Sequence, residues 1–487
     1  MIKRLICLML ALMLVVTVFS GCTDEETIIE GSTFEVGNSE VIVGETVTST
    51  TSDSKTSVNK EFFNKNGDVE YSFNIEDIKM PKRKLKNKTI TYFSWADLAS
   101  DNKATSTLMK KEFGVTFKTI KATQATYWDT LATYISAGRS PDLVETPSWD
   151  YYPLPIVNNL LQPLDDILDL DNVLWEDVSQ LNELLSWKGK HYYVVNDAPI
   201  GSFIYYNTKM FKQFGVDKTP KDYFREDNWT WDTLAEIAKK FVTYNPDGSV
   251  KTSGFTMGYQ DLAYTTGVEL ISRENGVLKH NLAHPNITKL MNWIYANGKA
   301  GTNALVNIQD RTKAFANGEV AMMSYEYYTI TDDRLKAMRK DIEWVMLPRM
   351  DKNSDYYTSV WILPNPCIPV GAKNVEGAAL YIEFNKWKNL GWRQSLFLEG
   401  RTNAARKKYK IKDNSLAQHL STEEREWTEE MLDAHEYKII TNIWSSWTYA
   451  LGMQAYPGVG AVTEGETWSS VFNQNKPKLD SLVNKYK

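Results

Sequence analysis

Apolar side chains recur along this chain in two rhythms, and the switches between them predict the order of its elements. Thr89-Ile90-Thr91-Tyr92-Phe93 reads as a short β-rich run, and Thr107 to Phe113 as a helix that stops before Gly114. A second strand is predicted from Val115 to Ile120. Trp128, Leu131, Ala132 and Ile135 then fall at i, i+3, i+4 and i+7, the spacing of one buried helix face. Gly138 supplies the stop before Pro141-Asp142-Leu143-Val144. Strands separated by helices imply an α/β architecture with a largely parallel sheet, covered on both faces and binding ligands at the strand C-terminal ends. The loops after Phe93 and Val144 are therefore the first places to look for chemistry.

The rhythm repeats further along. Phe203-Ile204-Tyr205-Tyr206-Asn207 reads as a strand, with Asn207 expected to fix the turn into a following helix. Trp231, Leu234, Ala235, Ala238, Phe241 and Val242 mark another helix face. Asn245-Pro246-Asp247-Gly248 is a turn, and Gly254 to Met257 resumes a strand. Further strands are predicted at Glu319–Met323 and Trp344–Leu347, and a helix carries Val375, Ala378, Ala379 and Ile382. From Gly391 the chain reads as mainly helical, and Trp128 and Trp231, on apolar faces, are expected in the core. The absence of a fixed-period repeat argues against a solenoid or propeller.

The start of the chain has a different character. Lys3 and Arg4 precede an apolar run from Leu5 to Phe19 that is too short to span a membrane comfortably, the pattern of a secretory leader over 1–21. Val18-Phe19-Ser20-Gly21-Cys22 resembles the bacterial lipobox, in which the cysteine receives diacylglycerol. Cys22 is thus the expected lipidation site, anchoring the protein at the extracellular face of the cell membrane. Of Cys7, Cys22 and Cys367, the leader removes the first and lipid occupies the second, so a disulfide scaffold is excluded. Cys367, in Pro366-Cys367-Ile368-Pro369, is expected to be a buried, inert thiol. Between Thr23 and Lys60, 14 of 38 residues are Ser or Thr and eight are acidic, too polar a stretch to fold. Residues 22–87 are read as a lipidated cysteine and flexible linker, ending in a solvated basic cluster that includes Lys82, Arg83 and Lys84.

Composition narrows the function. With 487 residues, 43% hydrophobic and 24% charged, the chain has material for two or three packed domains. A formal net charge of -6 offers nothing to attract nucleic acid. Sixteen Trp and 26 Tyr point to planar or apolar partners, sugar rings among them. Gly-x-Ser-x-Gly, Gly-x-x-x-x-Gly-Lys-Ser/Thr and His-Glu-x-x-His are all missing. The five histidines lack ligand spacing, and Asp165, Asp166, Asp169 and Asp171 lack the calcium-loop pattern, so neither metal nor cofactor is expected.

Five fragments then carry a family resemblance. They are Tyr134 to Val144, Leu161-Gln162-Pro163-Leu164-Asp165, Phe203 to Phe211 with Trp231-Asp232-Thr233-Leu234, Phe315 to Met322, and Ala372 to Ala379. In this order they resemble the extracellular solute-binding proteins, family 1, the sugar-binding receptors of ABC importers. The resemblance implies a two-lobed periplasmic-binding-protein-like fold of type II. Lobe 1 is expected over 88–198 and 327–358 and lobe 2 over 199–326 and 359–487, with crossings near Asp197–Gly201, Ser324–Glu326 and Ser359–Leu363. It also implies a ligand held between aromatic faces and planar polar groups. Trp95, Asp97, Trp149, Asp150 and Asp197 are the candidates from the first lobe and its crossing; Gln260, Asp261, Tyr264, Glu326, Trp361, Trp444 and Trp447 complete the set. The expected role is that of a monomeric, lipid-anchored receptor delivering a carbohydrate, expected to be an oligosaccharide, to a membrane permease without breaking bonds. A surface glycoside hydrolase or lyase, with paired carboxylates, is the alternative from another class. A ligand sensor of the same fold is a third.

Overall fold

The computed structural model describes residues 78–95, 103–147, 151–197, 201–258, 261–274, 277–326, 329–330, 332–359, 362–389, 420–440 and 458–485. Strands are β1 (Thr89–Ser94), β2 (Thr116–Lys121), β3 (Leu143–Val144), β4 (Val195–Asp197), β5 (Ser202–Asn207), β6 (Thr243–Tyr244), β7 (Val250–Thr256), β8 (Ile271–Glu274), β9 (Val277–His280), β10 (Leu305–Val306), β11 (Val320–Glu326), β12 (Ile342–Met346), β13 (Tyr356–Ser359), β14 (Leu363–Pro364) and β15 (Tyr437–Ile440). The helices used below are α1 (Lys103–Phe113), α2 (Tyr127–Ser136), α3 (Trp231–Lys239), α4 (Pro285–Asn297), α5 (Val375–Asn389), α6 (Thr422–Asp433) and α7 (Trp468–Lys485).

The first lobe is built on the parallel sheet β2-β1-β3, the β-α-β-α-β unit read from the chain. On α2, Leu131 and Tyr127 are buried, and Trp128 is half-buried rather than core. Trp231, by contrast, is 1% exposed, and its indole donates to Thr265 Oγ1 at 2.8 Å. The second lobe is built on a mixed sheet in the order β10-β7-β11-β5-β12, with β6 pairing on β7. Here β5 runs antiparallel to both β11 and β12. Asn207 ends β5 and accepts the Met210 backbone N–H at 3.1 Å, the turn-fixing role expected of it.

Strand pairing corrects the expected lobe boundaries. Ile342–Met346, expected with the first lobe, pairs along its whole length with β5 and belongs to the second sheet. Residues 362–389, expected with the second lobe, join the first. Cys367 bridges Val144, Pro369 bridges Leu161, and Tyr381 of α5 packs against Tyr92 and Phe117. The strands on either side of the supposed crossing at Ser324–Glu326 share one sheet, so no change of lobe separates them. The chain returns to the second lobe by residue 420. Trp427 of α6 donates to Trp344 O at 2.7 Å, and β15 runs parallel to β13. Cys367 is fully buried and free, its thiol pushed up to about 12 by burial, in keeping with an inert role.

The basic segment before β1 also departs from expectation, because Arg83 is folded into the first lobe. Its guanidinium donates to Glu383 Oε2 at 2.9 Å and Oε1 at 2.7 Å, to Glu376 at 2.9 Å and to Ile167 O at 2.8 Å. Trp387 secures the same strap by donating to Ile78 O at 3.1 Å. Charge-assisted, two-pronged pairs of this kind contribute about 1–3 kcal/mol. Arg83→Ala is therefore expected to lower the unfolding midpoint in urea and to open new tryptic cuts between Lys79 and Lys88. Equal cleavage in variant and parent would show that the strap is not held by this contact.

Candidate functional site

Two sheet edges carry the candidate site, and local bonding explains how each is held. In the first lobe β1 and β3 are parallel and end together at Phe93 and Val144. Tyr127 ties these ends, the single proton of its hydroxyl shared between Phe93 O at 3.1 Å and Glu145 O at 2.9 Å. Ser94, just beyond, donates to the Glu145 carboxylate. Trp95 follows, half-buried and edge-on to the Tyr127 ring at 5.5 Å. Tyr127 and Glu145 were not among the sequence candidates. Their signal was faint: one opens an apolar helix face, the other follows a strand whose loop had already been singled out.

In the second lobe the ends of β7 and β11 lie side by side, and the antiparallel β5 begins at the same edge, with Ser202 opposite Glu326. Asp261 sits beneath them, 4% exposed, accepting Ser202 Oγ at 2.9 Å, Ser324 Oγ at 2.6 Å and Gly258 N at 3.1 Å. A buried carboxylate with three donors is a brace. Asp261 thus positions the edge, with both carboxylate oxygens engaged by protein donors. A Cβ on Gly258 would stand 2.6 Å from both Asp261 Oδ2 and Arg311 Nη1, so the close approach requires glycine. The Arg311 guanidinium lies over the Tyr325 ring at 4.4 Å. Glu326 is half-buried, and its Oε2 is inaccessible with no hydrogen-bond partner among the described residues. Burial holds this carboxyl above its ordinary pKa; Asp261 adds to the shift, while Arg311 opposes it. Tyr264 is 6% exposed and its phenol is raised well beyond its usual range, by burial first and then by Asp261 and Tyr151.

The two edges abut the same crossings. Leu363 of β14 pairs antiparallel with Asp197 of β4, Gly201 N donates to Ser359 O at 2.7 Å, and Thr146 Oγ1 donates to Asn365 O at 2.8 Å. Trp95, Asp261, Tyr264 and Glu326 are thereby placed at or under these edges, and the Asp197 backbone lies in a crossing. Asp97, Trp149, Asp150, Gln260, Trp361, Trp444 and Trp447, together with the lipidation candidate Cys22, lie outside the described residues.

A family model for the bacterial extracellular solute-binding proteins matches residues 103–385, more than half of the chain and most of both sheets. The chain belongs to that family. No curated protein matches this solute-binding protein. Solved structures share its two-lobed fold at low identity. Mannotriose-bound CpMnBP1 is 17% identical with a TM-score of 0.57, covering 81% of this chain and 100% of its own. An ABC substrate-binding protein from Listeria monocytogenes in complex with cycloalternan is 15% identical with a TM-score of 0.55, covering 82% and 99%. UgpB from Mycobacterium tuberculosis in complex with glycerophosphocholine is 15% identical with a TM-score of 0.57, also covering 82% and 99%. Among the described residues, no helix of this solute-binding protein is long and apolar enough to cross a membrane, and no group of three or more His, Cys, Asp or Glu is placed to hold a metal ion.

Proposed function

We propose that this solute-binding protein captures an oligosaccharide between its lobes and passes it, intact, to the membrane subunits of an ABC importer. Lipid on Cys22 would keep it at the extracellular face of the membrane as a monomer. The observation that carries this reading is the pairing of groups at the second-lobe edge. Tyr325, under the Arg311 guanidinium, and Glu326 end β11 at this edge, an aromatic ring and a carboxyl group of the types that suit a hydroxylated ring. Trp95 offers an aromatic group at the facing edge. Mannotriose and cycloalternan in solved structures of the same fold support a sugar. Glycerophosphocholine in another makes a phosphorylated polyol the natural control.

Closure about the paired crossings would bring the edges together, so affinity would come from contacts present only in the closed state. Trp149 and Trp447 are proposed as stacking partners for successive rings. The test is a thermal-shift screen of the full chain against mono- and oligosaccharides, with glycerophosphocholine alongside and chromatography of each mixture afterwards. A sugar that raises the melting temperature and is recovered uncleaved is the expected result. Cleaved sugar would overturn the receptor reading in favour of a hydrolase. With the ligand in hand, Trp149→Ala and Trp447→Ala are each expected to weaken binding at least tenfold without changing the unliganded melting temperature. Unchanged affinity in both would remove these residues from the site.

A further inference from the structure

One contact joins the lobes through residues not themselves assigned to the ligand. Arg273, in the β8–β9 hairpin of the second lobe, directs its guanidinium to the Tyr152 hydroxyl of the first lobe at 3.1 Å and lies over the Trp187 ring at 5.4 Å. Each partner is anchored in its own lobe. Tyr152 is fully buried, donates to Ser186 O at 3.0 Å and meets Trp187 edge-on at 6.1 Å. Trp187 is held in a tight turn by reciprocal backbone bonds with Lys190 of 2.8 and 3.1 Å. The hairpin is closed at its base where Asn281 N donates to Leu270 O at 2.8 Å, and it is fastened to the second lobe where His280 pairs with Asp480 of α7 at 2.9 Å. The Tyr152 hydroxyl thus spends its proton inside its own lobe and accepts from Arg273 across the gap.

We propose that Arg273 is a clasp between the lobes, a positioning residue whose hold on Tyr152 and Trp187 favours the closed arrangement before any solute arrives. A cation seated on an indole face while donating to a buried hydroxyl combines two attractive contacts, both of which would be lost if the lobes parted. A contact made in only one of two states shifts the population toward that state. Closing in advance lowers the share of open protein that a solute can enter, and it slows escape once the solute is inside. Arg273 would therefore set how long a solute dwells rather than which solute is chosen. The clasp concerns the protein without ligand and does not depend on the identity of the sugar.

Hydrogen exchange read by mass spectrometry on the unliganded full chain tests it. In Arg273→Met, which keeps much of the aliphatic stem, peptides covering 184–190 are expected to exchange about tenfold faster while those covering β5 stay unchanged. Trp187→Leu, altered on the opposite side of the gap, should speed exchange in peptides covering 271–274 in the same way, and Arg273→Lys should restore part of the protection. A purely local role for Arg273 would leave 184–190 at parental rates, and that outcome overturns the proposal. So does an effect of either variant confined to its own lobe.

Discussion

Replacing Gly254 by alanine is expected to be among the costliest single methyl additions to the second lobe. Gly254 lies in β7 beneath α3, and a Cβ built there would stand 2.1 Å from Ala238 O, 2.2 Å from Ala238 Cα and 2.4 Å from Ala238 C. The obstacle is backbone, so no rotamer change can relieve it. Either α3 lifts from the sheet or β7 bends away from β11 and β10. The helix is poorly placed to yield, since Trp231, Leu234, Ile237 and Ala238 are all buried under it. Overpacking of this kind costs about 1–3 kcal/mol where side chains can adjust, and the backbone clash should place Gly254→Ala at or above that upper figure. The check is urea denaturation followed by tryptophan fluorescence. A midpoint within error of the parent would mean that α3 does not rest on the sheet as closely as the structure has it.

Lys386→Met should be nearly as damaging, by electrostatics rather than by volume. Lys386 is 1% exposed in α5 and donates to Asp177 Oδ2 at 2.7 Å and to Asn196 O of β4 at 3.2 Å. Asp177 is itself 6% exposed. Removing one member of a buried pair costs about 3–5 kcal/mol, because the remaining charge loses its counter-ion in a medium that solvates it poorly. Since Lys386 also grips the strand that leads into the first crossing, the loss should loosen the hinge as well as the core. The double variant Asp177→Leu with Lys386→Met is expected to recover much of the stability, as exchanging a whole buried pair for apolar groups often does. If the double variant were as unstable as the single one, packing around Lys386, and not the charge left on Asp177, would be the cause.

Both residues show where reading the chain stops. Gly254 is legible as part of a strand and Lys386 lies just past the helix face legible from Val375 to Ile382, yet nothing local tells of Ala238 beneath one or Asp177 beside the other. The same holds at the site. Asp261 is expected from the sequence as a ligand contact, and in the fold its three donors come from Ser202, Gly258 and Ser324, two of them on separate strands far away in sequence. Its type and position suggested a ligand contact, and pairing with the chain itself turned it into a brace. Tyr127 looked like one more apolar helix residue until its hydroxyl was seen to join the ends of β1 and β3.

What the sequence determined by itself was the kind and order of elements: the β-α-β-α-β opening, the strand closed by Asn207, the amphipathic α3 and the membership of a solute-binding family. These follow from side-chain periodicity and turn chemistry, which act over a few residues and can be read in a few residues. What only the tertiary structure decided was partnership. Ile342–Met346 has the alternation of a strand in either lobe, and pairing with β5 put it in the second. The segment around Cys367 has the composition of a core strand anywhere, and the bridge to Val144 put it in the first. Arg83 reads as one more residue of a solvated basic run, and two glutamates on α5, nearly three hundred residues later, drew it into the fold. Periodicity states which face of an element seeks burial; the identity of the element that covers it is settled by packing and hydrogen bonding between segments that the chain keeps far apart.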